Sequence, residues 1–322
     1  MSKTAVVLVN GEVLANGHGS TIGNQRQNAQ QLAQGLAPLL ASNIHVAILH
    51  GNKPQVGFVL FRSELASHVL HTIPLDVCGA DTQGASGYML SQAIMNALHQ
   101  QQRDRRVMCV LTQTRVDILP ETSSAPLKAI GPWYDREKAE QYRQTRSWVM
   151  IEEPGRGYRR AVPALPALEI LEIDGIRQLV ESGTVVIAGG GGGIPVARNE
   201  HGELSGVEAV VETEQVASLM AQQLNASLLV MVIDTDKKFI LSGLNVERPS
   251  YLSLATLDDL LVQDTFKSSS VHRQLQAAAH FLHHGGEQVI ITTLRRLPEA
   301  LAEQGGLRIG AALSLAELFA HS

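Results

Sequence analysis

Only two cysteines, Cys78 and Cys109, occur in 322 residues. That excludes a disulfide-stapled scaffold and any paired Cys-x-x-Cys motif for a metal or for redox chemistry. No apolar stretch reaches the roughly 18 residues that a membrane-spanning helix needs. The polar start before Ala5-Val6-Val7-Leu8-Val9 shows no sign of an export signal or anchor. Long runs of lysine and arginine are missing as well, and the net charge is -5, so no surface here is built to neutralise nucleic-acid phosphates. Neither an internal repeat nor a low-complexity tract stands out. The expectation these absences leave is a cytoplasmic chain with neither nucleic acid nor membrane as partner. What is present is an ordinary globular balance, 44% hydrophobic and 18% charged, long enough to bury a large core as one α/β domain or two small ones.

The apolar residues alternate between two periods. Residues 5–9 form a β-rich run ending at Asn10-Gly11, and Ala29, Leu32, Ala33, Leu36, Leu39 and Leu40 then share one helical face. A second strand over 44–49 runs into His50-Gly51-Asn52-Lys53-Pro54, and Val56, Val59, Leu60, Leu65 and Val69 predict another helix. A helix over 81–99 and a strand over 107–111 continue the alternation, which is that of a parallel sheet covered on both faces. From residue 112 to about 166 the period is lost, and prolines, arginines and aromatics dominate, Trp133 and Trp148 among them. This stretch reads as an insertion or small lid-like subdomain. Alternation resumes with a helix over 173–181, a strand over 184–188, the glycines 189–193, a helix over 214–224 and a strand over 228–233. A helix over 271–284, a strand over 288–291, a helix from Pro298 and a strand over 307–309 complete the chain.

Two loops carry the pattern of an anion site. Gly189-Gly190-Gly191-Gly192-Gly193-Ile194-Pro195 directly follows an apolar strand. Consecutive backbone N–H groups there can form an anion-binding nest, and a side chain would block close approach. A flexible linker is the plainer reading of a glycine run, but a linker rarely sits between a buried strand and a proline-stiffened continuation. His50-Gly51-Asn52-Lys53-Pro54-Gln55-Val56-Gly57 also ends a strand and opens a helix, with N–H groups facing the crevice. A turn capped by Asn52 is compatible with that role, because a capped helix N-terminus still attracts anions. His280, His283 and His284 stand at i, i+3 and i+4, a spacing that can gather imidazoles for a metal. No acidic or cysteine partner is close in sequence, the helix dipole accounts for them, and no metal site is assigned.

These loops occur together with Pro74-Leu75-Asp76-Val77-Cys78-Gly79-Ala80, Gln83-Gly84, Gly87-Tyr88, Lys128-Ala129-Ile130-Gly131-Pro132 and Gly155-Arg156-Gly157-Tyr158-Arg159-Arg160-Ala161-Val162-Pro163. Gly206-Val207-Glu208-Ala209-Val210 and Asp234-Thr235-Asp236-Lys237 follow. In that order the chain resembles the carbamate kinase family over nearly its whole length. The resemblance implies an α/β fold, the three-layer αβα amino-acid-kinase fold with a mainly parallel eight-stranded sheet. It implies one domain over 1–322, with a small protruding subdomain over 115–165. It further implies a homodimer that exchanges a phosphoryl group between ATP and carbamate, giving ADP and carbamoyl phosphate, with magnesium (Mg2+). Carried over residue by residue, it puts Lys128 in catalysis and Gly11, Glu12, Gly51, Asn52, Lys53, Gly190, Gly191 and Gly192 around the phosphate and the small-molecule substrate. Asp234, Lys237, Arg273 and Gln274 fall on the nucleotide side. Arg156, Arg159 and Arg160 lie in a family motif, for which a structural or subdomain-docking role is expected.

The chain departs from that family at charged positions. Its first loop reads Asn10-Gly11-Glu12 where the family has two glycines and an asparagine, so a carboxylate faces phosphoryl oxygens unless a metal or a lysine intervenes. Lys53 replaces a family glycine, and pairing of Lys53 with Glu12 is the expected compensation. After Glu208-Ala209-Val210 the family continues acidic, lysine, acidic, whereas Glu212-Thr213-Glu214 has no lysine. A second family lysine falls on Gln274, and the neighbouring Arg273 points about 100° away around a helix. Of three active-site lysines, Lys128 alone survives. Phosphoryl transfer rests on positioning and on cations that offset charge, and loss of one such donor commonly costs ~10²–10³ in rate. The expected activity is an impaired or altered phosphotransferase, with a related carboxylate or carbamoyl compound served by Glu12, Lys53 and His272. The alternative is a non-catalytic homologue that binds a nucleotide, carbamoyl phosphate or a partner enzyme.

Overall fold

The computed structural model describes residues 3–15, 21–118, 125–234, 244, 250–262, 270–311 and 313–319. Aliphatic and β-branched runs make the central strands, and Thr4–Val9 and Leu228–Ile233 are buried at every position, as strands covered on both faces must be. The eight-stranded sheet runs Ser250–Leu252, Leu307–Gly310, Gln288–Thr293, Leu228–Ile233, Thr4–Val9, His45–His50, Val185–Ile187, Val107–Cys109. Every neighbouring pair is parallel except Gln288–Thr293 with Leu307–Gly310.

Alternation along Thr4–Val9 divides the core between the faces. Ala5, Val7 and Val9 join the cluster built with Leu32, Leu36 and Leu90 on one side, and Val6 and Leu8 join that of Met220, Leu275 and Phe281 on the other. Helices Ile22–Gly35 and Leu75–Gln100 thus cover one face, and Thr213–Gln223 and Ser270–His283 the other. The chain leaves Thr4–Val9 for His45–His50 on one side and returns to Leu228–Ile233 on the other. Loops at the carboxyl ends of these strands diverge there and leave a crevice.

A smaller sheet stands beside that crevice. Gly157–Leu165 pairs antiparallel with Leu127–Tyr134 on one edge and with Val149–Glu153 on the other. Helix Arg136–Arg146 connects the two outer strands, and Asp135 caps it by accepting from the Lys138 N–H at 2.7 Å. Tyr142 packs edge-on against Tyr134, with centroids 5.2 Å apart, and against Trp148 at 4.9 Å. Among the ties from this unit to the rest, the Tyr134 hydroxyl donates to Glu64, Arg160 donates to Glu208, and Val210–Val211 pairs in parallel with Gly157–Leu165.

Three expected elements come out differently. The helix after residue 53 stops at Leu65, and Leu65 and Val69 are exposed because they lie past its packed face. The helical face from Ala29 to Leu40 breaks at Leu36, between Gly35, which packs on Leu297, and Pro38 in the next first turn. The helix expected over 81–99 begins at Leu75, whose N–H is capped by the Glu208 carboxylate at 2.8 Å.

Candidate functional site

The loops after the central strands enclose a cavity of about 990 Å³, roofed by the small sheet. Two of these loops touch backbone to backbone. A Cβ on Gly11 would meet Asn52 N at 2.9 Å, and one on Gly51 would meet Gly11 N at 2.5 Å, so both positions need glycine. Asn52 stands at the helix N-cap, yet its Nδ2 donates to Thr82 Oγ1 at 2.9 Å instead of its oxygen capping the turn.

The glycine run is a braced bend more than an open nest. The Gly189 N–H donates to Thr112 Oγ1 at 2.8 Å, the Gly192 N–H to Gly189 O at 3.0 Å and the Gly193 N–H to Gly190 O at 3.1 Å. Behind it, the buried Gln83 amide donates to Thr112 O and Gly190 O, both at 3.0 Å, and accepts from the Thr112 N–H at 2.8 Å. His50 packs against Gly190, and burial lowers its pKa to about 4, keeping the ring neutral while Nδ1–H donates to Gly51 O. Of the five glycines only Gly191 lines the cavity. Its φ is 69°, and a Cβ there would sit 2.2 Å from Asn52 Nδ2.

Three cations gather about one carboxylate. Glu212 is the N-cap residue of helix Thr213–Gln223, where negative charge is favoured. Lys128 Nζ lies 2.6 Å from its Oε1, and Arg273 Nε lies 3.3 Å from Oε2, a charge contact without hydrogen-bond alignment. Burial pushes the Glu212 carboxyl up, but the Lys128 hydrogen bond and the charges of Arg273 and Lys53 outweigh it and hold the group below the ordinary carboxylate range. Lys53 is reached by solvent inside the cavity while protein surrounds it on most sides. That enclosure lowers its pKa first, Glu212 opposes the shift, and Arg273 adds to it.

Placement of the expected residues is mixed. Gly11, Glu12, Gly51, Asn52, Lys53, Lys128, Gly191, Arg273 and Gln274 all line the one cavity. Gly190 and Gly192 sit behind it, each packed too closely for a side chain. Asp234 is exposed just past its strand and outside the cavity wall, and Lys237 lies outside the described residues. The carboxylates acting on Lys53 are Glu212 first and Glu214 after it, where Glu12 was the expected partner. Arg273 reaches the cavity beside Gln274 despite the helical offset, since its long stem carries the guanidinium round. His272 is buried and absent from the wall. His280, His283 and His284 go to separate partners, Ser218, Asp258 and the His280 carbonyl. Among the described residues no cluster of three His, Cys, Asp or Glu has the arrangement of a metal site, and no helix is long and apolar enough to cross a membrane.

Comparison with known proteins decides the ancestry. A model of the amino acid kinase family matches residues 3–293. A carbamate kinase of Pyrococcus horikoshii is 35% identical over 316 residues, covering 96% of this chain and 99% of that protein. The chain belongs to the carbamate kinase family. A carbamate kinase-like protein of Escherichia coli, YahI, is 33% identical over 314 residues, again 96% of this chain and 99% of that protein. The solved carbamate kinase from Giardia lamblia bound to AMP-PNP superposes with a TM-score of 0.85 at 29% identity, covering 96% of this chain and 98% of that one. The mainly parallel sheet between helix layers is therefore the amino-acid-kinase fold of the carbamate kinases.

The roles of two parts of the site have no local signal in the sequence. Glu212 is legible only as one acid of a trio lacking its lysine, since glutamate is not a usual capping residue and makes no side-chain cap here. Trp133 and its arginines, at the far end of the cavity, lay in the stretch without periodicity.

Proposed function

We propose that the chain is an ATP-linked phosphotransferase for carbamate or a related carboxylate or carbamoyl compound, slower with carbamate than its relatives. The observation that carries this reading is the convergence of Lys53, Lys128 and Arg273 on Glu212 inside one glycine-walled cavity. Fixed cations at one point are what a transferring phosphoryl group needs, since its charge is spread over several oxygens. In this reading Lys128 contacts the transferred group, and Lys53 and Arg273 supply charge that Thr213 and Gln274 lack. The AMP-PNP held by the Giardia relative supports a nucleotide as donor. Magnesium would arrive on the nucleotide phosphates, offsetting their charge, with Glu12 and Glu214 the cavity carboxylates able to hold it. We further propose that residues 1–322 act as one domain, that the small sheet works as the protruding subdomain, and that the chain pairs as a homodimer.

A coupled assay that follows ATP made from ADP and carbamoyl phosphate tests the reading. The expected rate is at least ~10²-fold below that of the Pyrococcus relative, the usual loss for a missing cationic donor. Equal turnover would overturn the slow reading. No detectable ATP, with a nucleotide-induced rise in melting temperature, would instead establish the non-catalytic homologue, which the neutral Thr213 and Gln274 favour.

A further inference from the structure

The cavity is lined by more than the groups around Glu212. Its far wall is formed by Phe58, Phe61 and Arg62 of helix Lys53–Leu65, and by Trp133, Arg156 and Arg159 of the small sheet. Phe58, Phe61 and Arg62 stand at i, i+3 and i+4 and so share one helix face. The Glu64–Tyr134 contact holds that helix against the sheet.

Charge at this end is unbalanced. Arg159 and Arg156 lie over the Trp133 ring, 4.9 and 5.6 Å from its centroid. Arg159 is offset by Glu153 at 3.3 Å and donates to Gly131 O at 3.1 Å. Among the described residues, neither Arg156 nor Arg62 makes an ion pair with a carboxylate. One carboxylate therefore faces three guanidinium groups here, whereas Lys53, Lys128 and Arg273 share their wall with Glu12, Glu212 and Glu214. In the phosphotransferase reading the nucleotide takes the Arg273 and Gln274 side of this cavity, and an acceptor the size of carbamate beside it needs none of this far wall.

We propose that this end of the cavity is a subsite for a second carboxylate on the acceptor, so that the chain takes dicarboxylate-class molecules in preference to monocarboxylates. A guanidinium fork receives a planar carboxylate through two parallel hydrogen bonds, and the Trp133 face holds the forks in orientation. Naming the anion as acceptor rests on the phosphotransferase reading. That a carboxylate binds there does not.

Calorimetric titration of the full chain with succinate, acetate and inorganic phosphate, at matched ionic strength, tests the subsite. Succinate is expected to bind at least about tenfold more tightly than either, and Arg156→Gln and Arg62→Gln each to weaken it about tenfold, the worth of one charge-assisted hydrogen bond. Both side chains are exposed, so the variants fold, and Arg136→Gln, outside the cavity wall, controls for general loss of charge. Equal affinities for succinate and acetate, or unchanged binding in both variants, would overturn the subsite. Phosphate binding as tightly as succinate and lost in the same variants would overturn its carboxylate assignment. ADP release from ATP separates the two readings. Succinate preference without ADP release under any acceptor sinks the phosphotransferase and keeps the subsite, whereas ADP release with carbamate and no succinate preference does the reverse.

Discussion

Glu212 holds the cavity cations together and competes with any incoming anion for them. Glu212→Gln is therefore expected to raise phosphate affinity about tenfold while costing about 1–3 kcal/mol of stability, since Lys128 loses its charged partner. The sign with pH follows from the depressed carboxyl. Its stabilisation is complete above the unfolded-state value and is lost as pH falls through the lower folded-state value. Urea melts across that acid window should show the loss in the native chain and not in Glu212→Gln. Gly191 is the other decisive residue. Valine there meets Asn52 at 2.2 Å with φ held at 69°, so Gly191→Val should cost about 1–3 kcal/mol. It should also erase the rise in melting temperature that phosphate or ATP produces. A normal ligand shift in that variant would take the bend out of ligand binding.

Between elements, the tie from helix Lys53–Leu65 to the small sheet is a titratable one. Burial raises the Glu64 carboxyl, with the Tyr134 hydrogen bond and nearby arginines opposing. A carboxyl whose folded-state pKa is raised binds its proton more tightly when folded, so its contribution to stability falls as pH climbs from the ordinary carboxylate value toward the folded one. Glu64→Gln should flatten that part of the stability profile relative to the native chain, and an unchanged profile would show that the tie carries no proton linkage. Nothing in the local sequence announces this contact, and the same holds for other long-range ties. Strands such as Leu228–Ile233 and helices such as Ile173–Glu181 were legible to the residue because their apolar period is set locally. The start of the helix at Leu75 was not, because its cap comes from Glu208, 133 positions along. The hairpin of Ile194–Arg198 with Leu204–Gly206 escaped too, its second strand being exposed throughout. In the site, Gly11, Gly51 and Gly191 stand in loops that the glycine pattern marks, whereas Lys128, inside a strand, came only from the family resemblance. The gathering of Lys53, Lys128 and Arg273 around Glu212 joins three distant segments and has no local signature.

For the molecule as a whole, the two large clusters share one sheet and should unfold together, whereas Val56, Leu60, Leu75, Cys78, Ile130 and Val162 form a far smaller cluster under the small sheet. Both tryptophans, Trp133 and Trp148, lie in that small sheet or its connections. Intrinsic fluorescence therefore reports the small sheet, and far-ultraviolet circular dichroism reports the whole. In urea the fluorescence transition is expected at the lower midpoint, and coincident midpoints would show one cooperative unit. Phe281→Ala, in a fully buried position, should lower the circular-dichroism midpoint by an amount worth about 3–5 kcal/mol. The Gln83 amide has a consequence for how such a protein changes over generations. It braces the glycine bend from the side opposite the cavity, so the shape of the loop does not depend on which side chains face the ligand. Residues 12, 53, 213 and 274 can then be exchanged singly, each altering charge and none removing the support. Inheritance is free to retune substrate choice on a loop that keeps its form.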